Sequence, residues 1–220
     1  MKIFLDTANL DELKKGADWG IVNGVTTNPS LIAKEGRPIE EQIARICDII
    51  NGDISAEVVA TTADEMVAEG RKLAKIHENV VVKLPLTRDG IKGCSILTKE
   101  GLRVNVTLCF TPAQALLAAK AGAYIISPFV GRLDDIGLNG MDVVRQTVQI
   151  YDNYGFTTQV LAASMRDPNH IIESAIAGAH IATMPFKVLD QLFSHPLTDR
   201  GLEQFLKDWG KVFQETAAKP

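Results

Sequence analysis

Residues 80–87 read VVVKLPLT. Three consecutive valines mark a strand, and an unbroken apolar run marks one buried on both faces, as in a parallel sheet. Yet Lys83 stands in the middle of it, and an ammonium is rarely buried unless it is paired or put to use. The reading of the chain turns on what surrounds that cation.

Seven further runs have the same look: KIFLD (2–6), GIVNGVTT (20–27), ISAEVV (54–59), RVNVTLCF (103–110), AYIISPFV (123–130), TTQVLAAS (157–164) and HIATMP (180–185), beside NVVVKLP (79–85) itself. Helical stretches lie between them. IEEQIARICDII (39–50) is strongly amphipathic, and ADEMVAEGRKLAKIHE (63–78) places Met66, Val67, Leu73 and Ile76 near helical spacing. TPAQALLAAKAGA (111–123) opens with a Thr cap and a Pro in the first turn. MDVVRQTVQIYDNY (141–154) and DPNHIIESAIAGA (167–179) follow the same logic. Alternation of strand and helix predicts parallel strands joined by crossover helices. Eight such units in 220 residues match the size of an α/β (β/α)8 TIM barrel. A doubly wound open sheet is the competing arrangement, weakened because no GxGxxG opens a helix after the first strand. No linker or low-complexity tract divides the chain, so residues 1–220 are expected to form a single barrel domain. DRGLEQFLKDWGKVFQE (199–215) is expected as an extra C-terminal helix. Its Leu202, Phe205, Leu206, Trp209 and Phe213 form an apolar stripe that packs either on the barrel or on a neighbouring subunit.

Composition narrows the function. The chain carries 23 Lys plus Arg and 27 Asp plus Glu, a net charge of −4, which gives no general attraction to nucleic acid or to acidic membranes. Any anion must therefore be held by a local cluster of cations. No apolar run reaches the roughly 18 residues a membrane helix needs. The opening MKIFLDTANL, with Asp6, does not read as a secretory signal. The three cysteines Cys47, Cys94 and Cys109 are odd in number and widely spaced, which fits a reducing compartment, and a cytoplasmic protein is expected. The four histidines, His77, His170, His180 and His195, are scattered without metal-binding spacing.

In a barrel of this kind the chemistry sits at the C-terminal ends of the strands. Seven expected strands end in polar groups there: Asp6; Thr26, Thr27 and Asn28; Glu57; Lys83; Asn105 and Thr107; Arg132 just beyond Phe129; Ser164 and Arg166. Each has a bland alternative. Asp6 could cap a helix near Leu10, Glu57 and Lys83 could be a structural ion pair, the Thr-Thr-Asn-Pro segment is good turn chemistry, and the arginines could be surface groups. Convergence of so many on one mouth favours a site. A lysine with a free pKa near 10.4 is neutral about once in 2,500 at pH 7, and desolvation raises that fraction. A neutral amine attacks a carbonyl carbon to form a Schiff base. Arg132 and Arg166 with Ser164 make a phosphate grip.

FLDTA (4–8), GVTTNPSL (24–31), VVKLPLT (81–87) and SPFVGRLDD (127–135) resemble the short transaldolase family, which includes the fructose-6-phosphate aldolases. The resemblance runs over the whole chain. It implies a Schiff-base enzyme on a (β/α)8 barrel that uses neither metal nor organic cofactor. Lys83 resembles the Schiff-base lysine and Asp6 the acid/base acting on the C4 hydroxyl. Glu57 and Thr107 resemble the pair that holds a proton-shuttling water. Asn28 and Asn105 resemble binders of the dihydroxyacetone hydroxyls, Thr26 is similar to a hydroxyl beside Asp6, and Arg132, Ser164 and Arg166 resemble the phosphate site. The aldolase branch has Gln where this chain has Glu57 and Tyr where it has Phe129, so both positions resemble the transaldolase branch. The implied reaction takes a three-carbon dihydroxyacetone unit from sedoheptulose 7-phosphate or fructose 6-phosphate to glyceraldehyde 3-phosphate or erythrose 4-phosphate, in the non-oxidative pentose phosphate pathway. The alternative is an aldolase that cleaves fructose 6-phosphate and releases free dihydroxyacetone. A non-catalytic sugar-phosphate-binding barrel is a third reading. The resemblance also implies a homo-oligomer, a pentamer or a decamer, with sugar phosphates as its small-molecule partners.

Overall fold

The computed structural model describes the backbone of residues 1–217 and the side chains of residues 1–211. Eight parallel strands close into a barrel in sequence order: β1 (Lys2–Asp6), β2 (Gly24–Thr26), β3 (Asp53–Glu57), β4 (Val80–Pro85), β5 (Val104–Cys109), β6 (Ile125–Pro128), β7 (Gln159–Ala162) and β8 (Ile181–Met184). β8 pairs back with β1, so no edge is left open. The helices of the outer ring are α1 (Leu10–Asp18), α2 (Pro29–Glu35), α3 (Ile39–Ile49), α4 (Ala63–Leu73), α5 (Arg88–Lys99), α6 (Pro112–Lys120), α7 (Val130–Asp134), α8 (Met141–Tyr154), α9 (Pro168–Ile176) and α10 (Phe186–Gln191). The last helix, α11 (Pro196–Ala217), follows them.

Polar caps with a proline behind them start the helices that follow three of the strands. Asn28, Thr111 and Asp167 each accept a backbone N–H in the first turn, with Pro29, Pro112 and Pro168 next in line. Thr111 and Gln114 complete a reciprocal capping box. These short, self-contained starts fix where each strand hands over to its helix. They therefore fix the rim on which the polar strand ends stand.

The strands are shorter than the apolar runs predict. The expected 20–27 strand shrinks to Gly24–Thr26, because Gly20 takes a left-handed φ of 70° to end α1 and the next residues form the return loop. The expected 63–78 helix stops at Leu73. The helix over 88–99 was not anticipated. Gly90 is there because a Cβ on it would stand 1.8 Å from the Pro85 carbonyl oxygen at the end of β4, whereas one on Gly93 would make only ordinary contact with Leu84 Cδ1 at 3.4 Å.

Side-chain alternation along β4 answers the opening question. Val80, Val82 and Leu84 pack with the large cluster between sheet and helices. Val81 belongs instead to a second cluster with Phe4, Ile125, Leu161, Ala163 and Ile181, which fills the barrel axis. Lys83, two residues beyond Val81, points to the same inner side one layer nearer the mouth. Below this apolar floor sits a separate charged layer. Asp53 is gripped by Arg103 and accepts from the Tyr124 hydroxyl at 3.1 Å, with Lys2 3.9 Å away.

α11 stands apart. Among the described residues it makes no extensive contact with any barrel element. Leu202, Phe205, Leu206 and Trp209 are all more than half exposed, and the side chain of Phe213 lies outside the described residues. No described helix is long and apolar enough to cross a membrane.

The floor makes one glycine indispensable. A Cβ on Gly24 would lie 2.5 Å from the Phe4 ring and 2.5 Å from the Asp53 carbonyl oxygen, so Phe4 occupies the volume that a side chain on β2 would need. Gly24→Ala is expected to cost about 1–3 kcal/mol by overpacking, read as a lower denaturation midpoint, and full stability would refute this account of the floor.

Candidate active site

Above the floor lies a cavity of about 550 Å³. Of the eleven residues expected there, ten line it: Asp6, Thr26, Asn28, Glu57, Lys83, Thr107, Phe129, Arg132, Ser164 and Arg166. Asn105 does not. It points into the barrel but is fully buried, donating through Nδ2 to Ser55 Oγ at 3.0 Å and accepting from Ser127 Oγ at 2.7 Å. Ser127 does line the cavity, so Asn105 bears on it through that hydroxyl.

The amine of Lys83 is held from two sides. It donates to the Thr27 carbonyl oxygen at 2.8 Å and sits 2.9 Å from Glu57 Oε2. Glu57 reaches it because the two residues are register partners across β3 and β4. Lys83 is only 5% exposed. The resting arrangement is thus a buried ion pair, as the bland reading foresaw. Burial of such a pair returns little net stability, and a pair needed only for structure has no use for a large polar cavity beside it. Thr107 Oγ1, in the same cavity, is buried and has no hydrogen-bond partner within the protein. A buried hydroxyl without a partner is costly.

Asp6 stands at the end of β1 and does not cap α1, whose cap is Asn9. Thr26 donates to Asp6 Oδ1 at 2.7 Å. Burial raises the Asp6 carboxyl above its ordinary value of 3.8, and the charge of Lys83, the Thr26 hydrogen bond and the charge of Arg132 offset part of that rise. Asn28 spends its Oδ1 on capping α2 through Leu31 N at 3.0 Å, which leaves its amide nitrogen for the cavity. The turn-chemistry reading of this segment therefore holds alongside its place in the site.

The anion-facing side is built from two loops stitched together. Gly131 N donates to the Ser164 carbonyl oxygen at 3.1 Å, and a Cβ at Gly131 would stand 2.2 Å from that oxygen. Ser164 is left-handed at φ 61°, a conformation that costs a non-glycine residue on the order of 1 kcal/mol. Leu108, the other non-glycine residue with positive φ among the described ones, lines the same cavity at φ 59°. It falls where the β5–β6 register shifts between Val106 and Cys109. Arg132 lies over the Phe129 ring at 4.8 Å, and Arg166 pairs with Asp135 at 2.7 Å on the rim. Two guanidinium groups and a hydroxyl face an opening where they can meet a dianion. Among the described residues, no group of three or more His, Cys, Asp or Glu is placed to hold a metal ion.

Two lining residues escaped the sequence reading: Thr183 on β8, which meets Thr26, and Ser127 on β6, which meets Asn105. Thr27 was expected at the mouth, but not that its carbonyl oxygen would hold the amine. The signal was present: applied to HIATMP, the same period-two rule sends Thr183 inward with Ile181.

A (β/α)8-barrel enzyme is the class that this frame defines, with a buried amine, carboxylates on neighbouring strands and a cationic rim at the C-terminal mouth. Comparison with known proteins narrows it. The family model for Transaldolase/Fructose-6-phosphate aldolase matches residues 3–217, and the chain belongs to that family. It is 60% identical over 213 residues to a probable transaldolase of Caldicellulosiruptor saccharolyticus, covering 96% of this chain and 98% of that one. It is likewise 60% identical over 214 residues to a probable transaldolase of Caulobacter vibrioides, covering 97% and 99%. A probable transaldolase of Clostridium perfringens is 54% identical over 215 residues, covering 98% and 100%.

The raised carboxyl has a thermodynamic signature. Between the ordinary value of 3.8 and its higher native value, Asp6 keeps a proton that the unfolded chain has shed, so its contribution to stability falls as pH rises through that window. Asp6→Asn keeps an acceptor for Thr26 and removes the buried charge. At pH 7 it is expected to raise Tm by ~2–5 °C, with the gap narrowing as pH falls through the window. A variant that melts below the parent at pH 7 would show that Asp6 is not held at a cost.

Proposed function

We propose that the protein is a transaldolase, moving a dihydroxyacetone unit from a ketose phosphate to an aldose phosphate through a Schiff base on Lys83. The single observation that carries this reading is the Lys83 amine, buried and paired with Glu57 at the side of a cavity that also holds Asp6. Sedoheptulose 7-phosphate or fructose 6-phosphate is the donor, and glyceraldehyde 3-phosphate or erythrose 4-phosphate the acceptor, as in the non-oxidative pentose phosphate pathway.

Glu57, 2.9 Å from the amine, is in reach to take a proton from it. The neutral nitrogen adds to C2 of the ketose, and the carbinolamine expels water to leave an iminium ion. A water bridging Glu57 and the partnerless Thr107 hydroxyl would carry the protons for that dehydration. Asp6 then takes the C4 hydroxyl proton, the C3–C4 bonding pair moves into the iminium, and an aldose phosphate departs from the enamine. In the second half the enamine attacks the acceptor aldehyde, Asp6 returns the proton to the new hydroxyl, and water releases the ketose. A carboxyl raised by burial suits a group that must both take and return a proton. Asn28 binds dihydroxyacetone hydroxyls through its free amide end. Asn105 serves through the Ser127 hydroxyl that donates to it. Arg132, Ser164 and Arg166 hold the phosphate, with Arg166 exchanging Asp135 for it. No step calls for a metal or an organic cofactor.

The family also contains aldolases that release free dihydroxyacetone, and Phe129 supports the transferase reading. It has no hydroxyl with which to help protonate the enamine, so the three-carbon unit persists until an acceptor arrives. A cytoplasmic homo-oligomer, pentameric or decameric, completes the proposal, with the exposed stripe of α11 seated on a neighbouring subunit.

Borohydride added with fructose 6-phosphate is expected to fix a three-carbon adduct on the peptide containing Lys83. Lys83→Ala is expected to lose both the adduct and at least ~10³-fold in turnover. Without an acceptor, free dihydroxyacetone should stay at trace level; rapid release would make the protein an aldolase, and no adduct at all would leave only a sugar-phosphate binder. Sedimentation is expected to give an assembly of five or ten subunits that dissociates when the apolar stripe is replaced by Leu202→Glu and Phe205→Glu; a parent sedimenting as a monomer would refute the assembly.

A further inference from the structure

Asp6 does not stand alone. Thr26 Oγ1 lies 2.7 Å from Asp6 Oδ1 and 2.6 Å from Thr183 Oγ1. Both threonines are 2% exposed, and both line the cavity. β1 runs between β2 and β8, so the three side chains come from adjacent strands of one wall.

A threonine hydroxyl has one hydrogen to give. While Asp6 is a carboxylate it can only accept, so Thr26 gives its hydrogen to Asp6. The contact between the two threonines then requires Thr183 to be the donor. Once Asp6 takes a proton on the oxygen that Thr26 does not occupy, Oδ1 still accepts from Thr26 but as a neutral and weaker acceptor, so the hydroxyl chain holds the carboxylate more strongly than the acid.

We propose that Thr183 is a positioning residue for the reaction, the far end of a hydroxyl chain that holds the Asp6 carboxylate. This rests on the reading of Asp6 as the group that takes and returns the C4 hydroxyl proton. Hydrogen bonds to an ionised acceptor are stronger than neutral ones, and chained bonds reinforce each other, so the chain favours the carboxylate on balance. Lys83 from β4 and Arg132 from α7 also face Asp6, and Glu57 of β3 shares the cavity. β2 and β8 offer no titratable group, and the charges of α10, Lys187 and Asp190, are exposed on the outside. All of these are unchanged in a Thr183 variant, so a shift in the variant reports the hydroxyl.

The test compares Thr183→Val, which keeps the shape and removes the hydroxyl, with Thr183→Ser, which keeps the hydroxyl. Turnover of fructose 6-phosphate with an acceptor is measured across pH, beside borohydride trapping on Lys83. Thr183→Val is expected to move the acid limb of kcat/KM up by ~0.5 pH unit and to lower kcat about tenfold, with KM within about twofold of the parent. Total adduct on Lys83, six-carbon plus three-carbon, should be unchanged, because imine formation does not use Asp6, while the three-carbon share forms more slowly as cleavage slows; Thr183→Ser should restore the parent profile. A Thr183→Val profile that superimposes on the parent would overturn the proposal. If that variant does not fold, Thr183→Ala takes its place against Thr183→Ser, and an unshifted limb in Thr183→Ala overturns it equally. If the parent shows no acid limb, or if Asp6→Asn retains turnover, the reading of Asp6 falls and takes this proposal with it.

Discussion

One ammonium-sized group inside a closed ring of strands governs the organisation of this protein. Lys83 sits above an apolar floor, and its nitrogen is met by one carboxylate and one backbone carbonyl oxygen. An uncompensated charge there would cost several kcal/mol, so its surroundings must supply partners. Glu57 supplies one through strand register. Thr27 supplies the other because β2 is short and its end curls over the mouth: Thr27 gives both its N–H and its hydroxyl to the Ser55 carbonyl oxygen, leaving its own carbonyl for the lysine. The barrel is the means by which those groups, 56 residues apart in the chain for Thr27 and Lys83, come within hydrogen-bonding distance.

Strain gathers at the same end. Both described non-glycine residues with positive φ, Leu108 and Ser164, line the cavity, and among the described residues the one register shift between paired strands adjoins Leu108. Backbone in such conformations persists only where its neighbours over-determine it. Around Ser164 they do, since Gly131 has no side chain and lets α7 press against the Ser164 carbonyl. The opposite end, with Asp53 clasped by Arg103 and Tyr124, shows no such departures. Stability and chemistry thus occupy different ends of one barrel.

Much of this was legible in the sequence, and the reasons are local. Eight apolar runs separated by amphipathic segments predict the barrel, and period-two alternation sends Lys83 inward with Val81. Polar residues at strand ends stand out because the positions otherwise hold Val, Ile and Leu. What escaped is what depends on contact between distant segments. Gly90 looks like a breaker until the end of β4 lies against α5. Asn105 looks like a cavity residue by parity, yet Ser55 and Ser127 claim both ends of its amide. Thr183 is an ordinary strand threonine until Thr26 is beside it. The length of β2 is set by the loop from Gly20, which composition does not reveal.

The floor of Phe4, Val81, Ile125, Leu161, Ala163 and Ile181 seals the barrel at mid-height. A vessel closed below has a single doorway. Whatever leaves and whatever arrives share one passage. In the transfer proposed for this cavity, the departing product and the arriving acceptor use the same doorway, so the route of the traffic follows from six apolar side chains that close the other end.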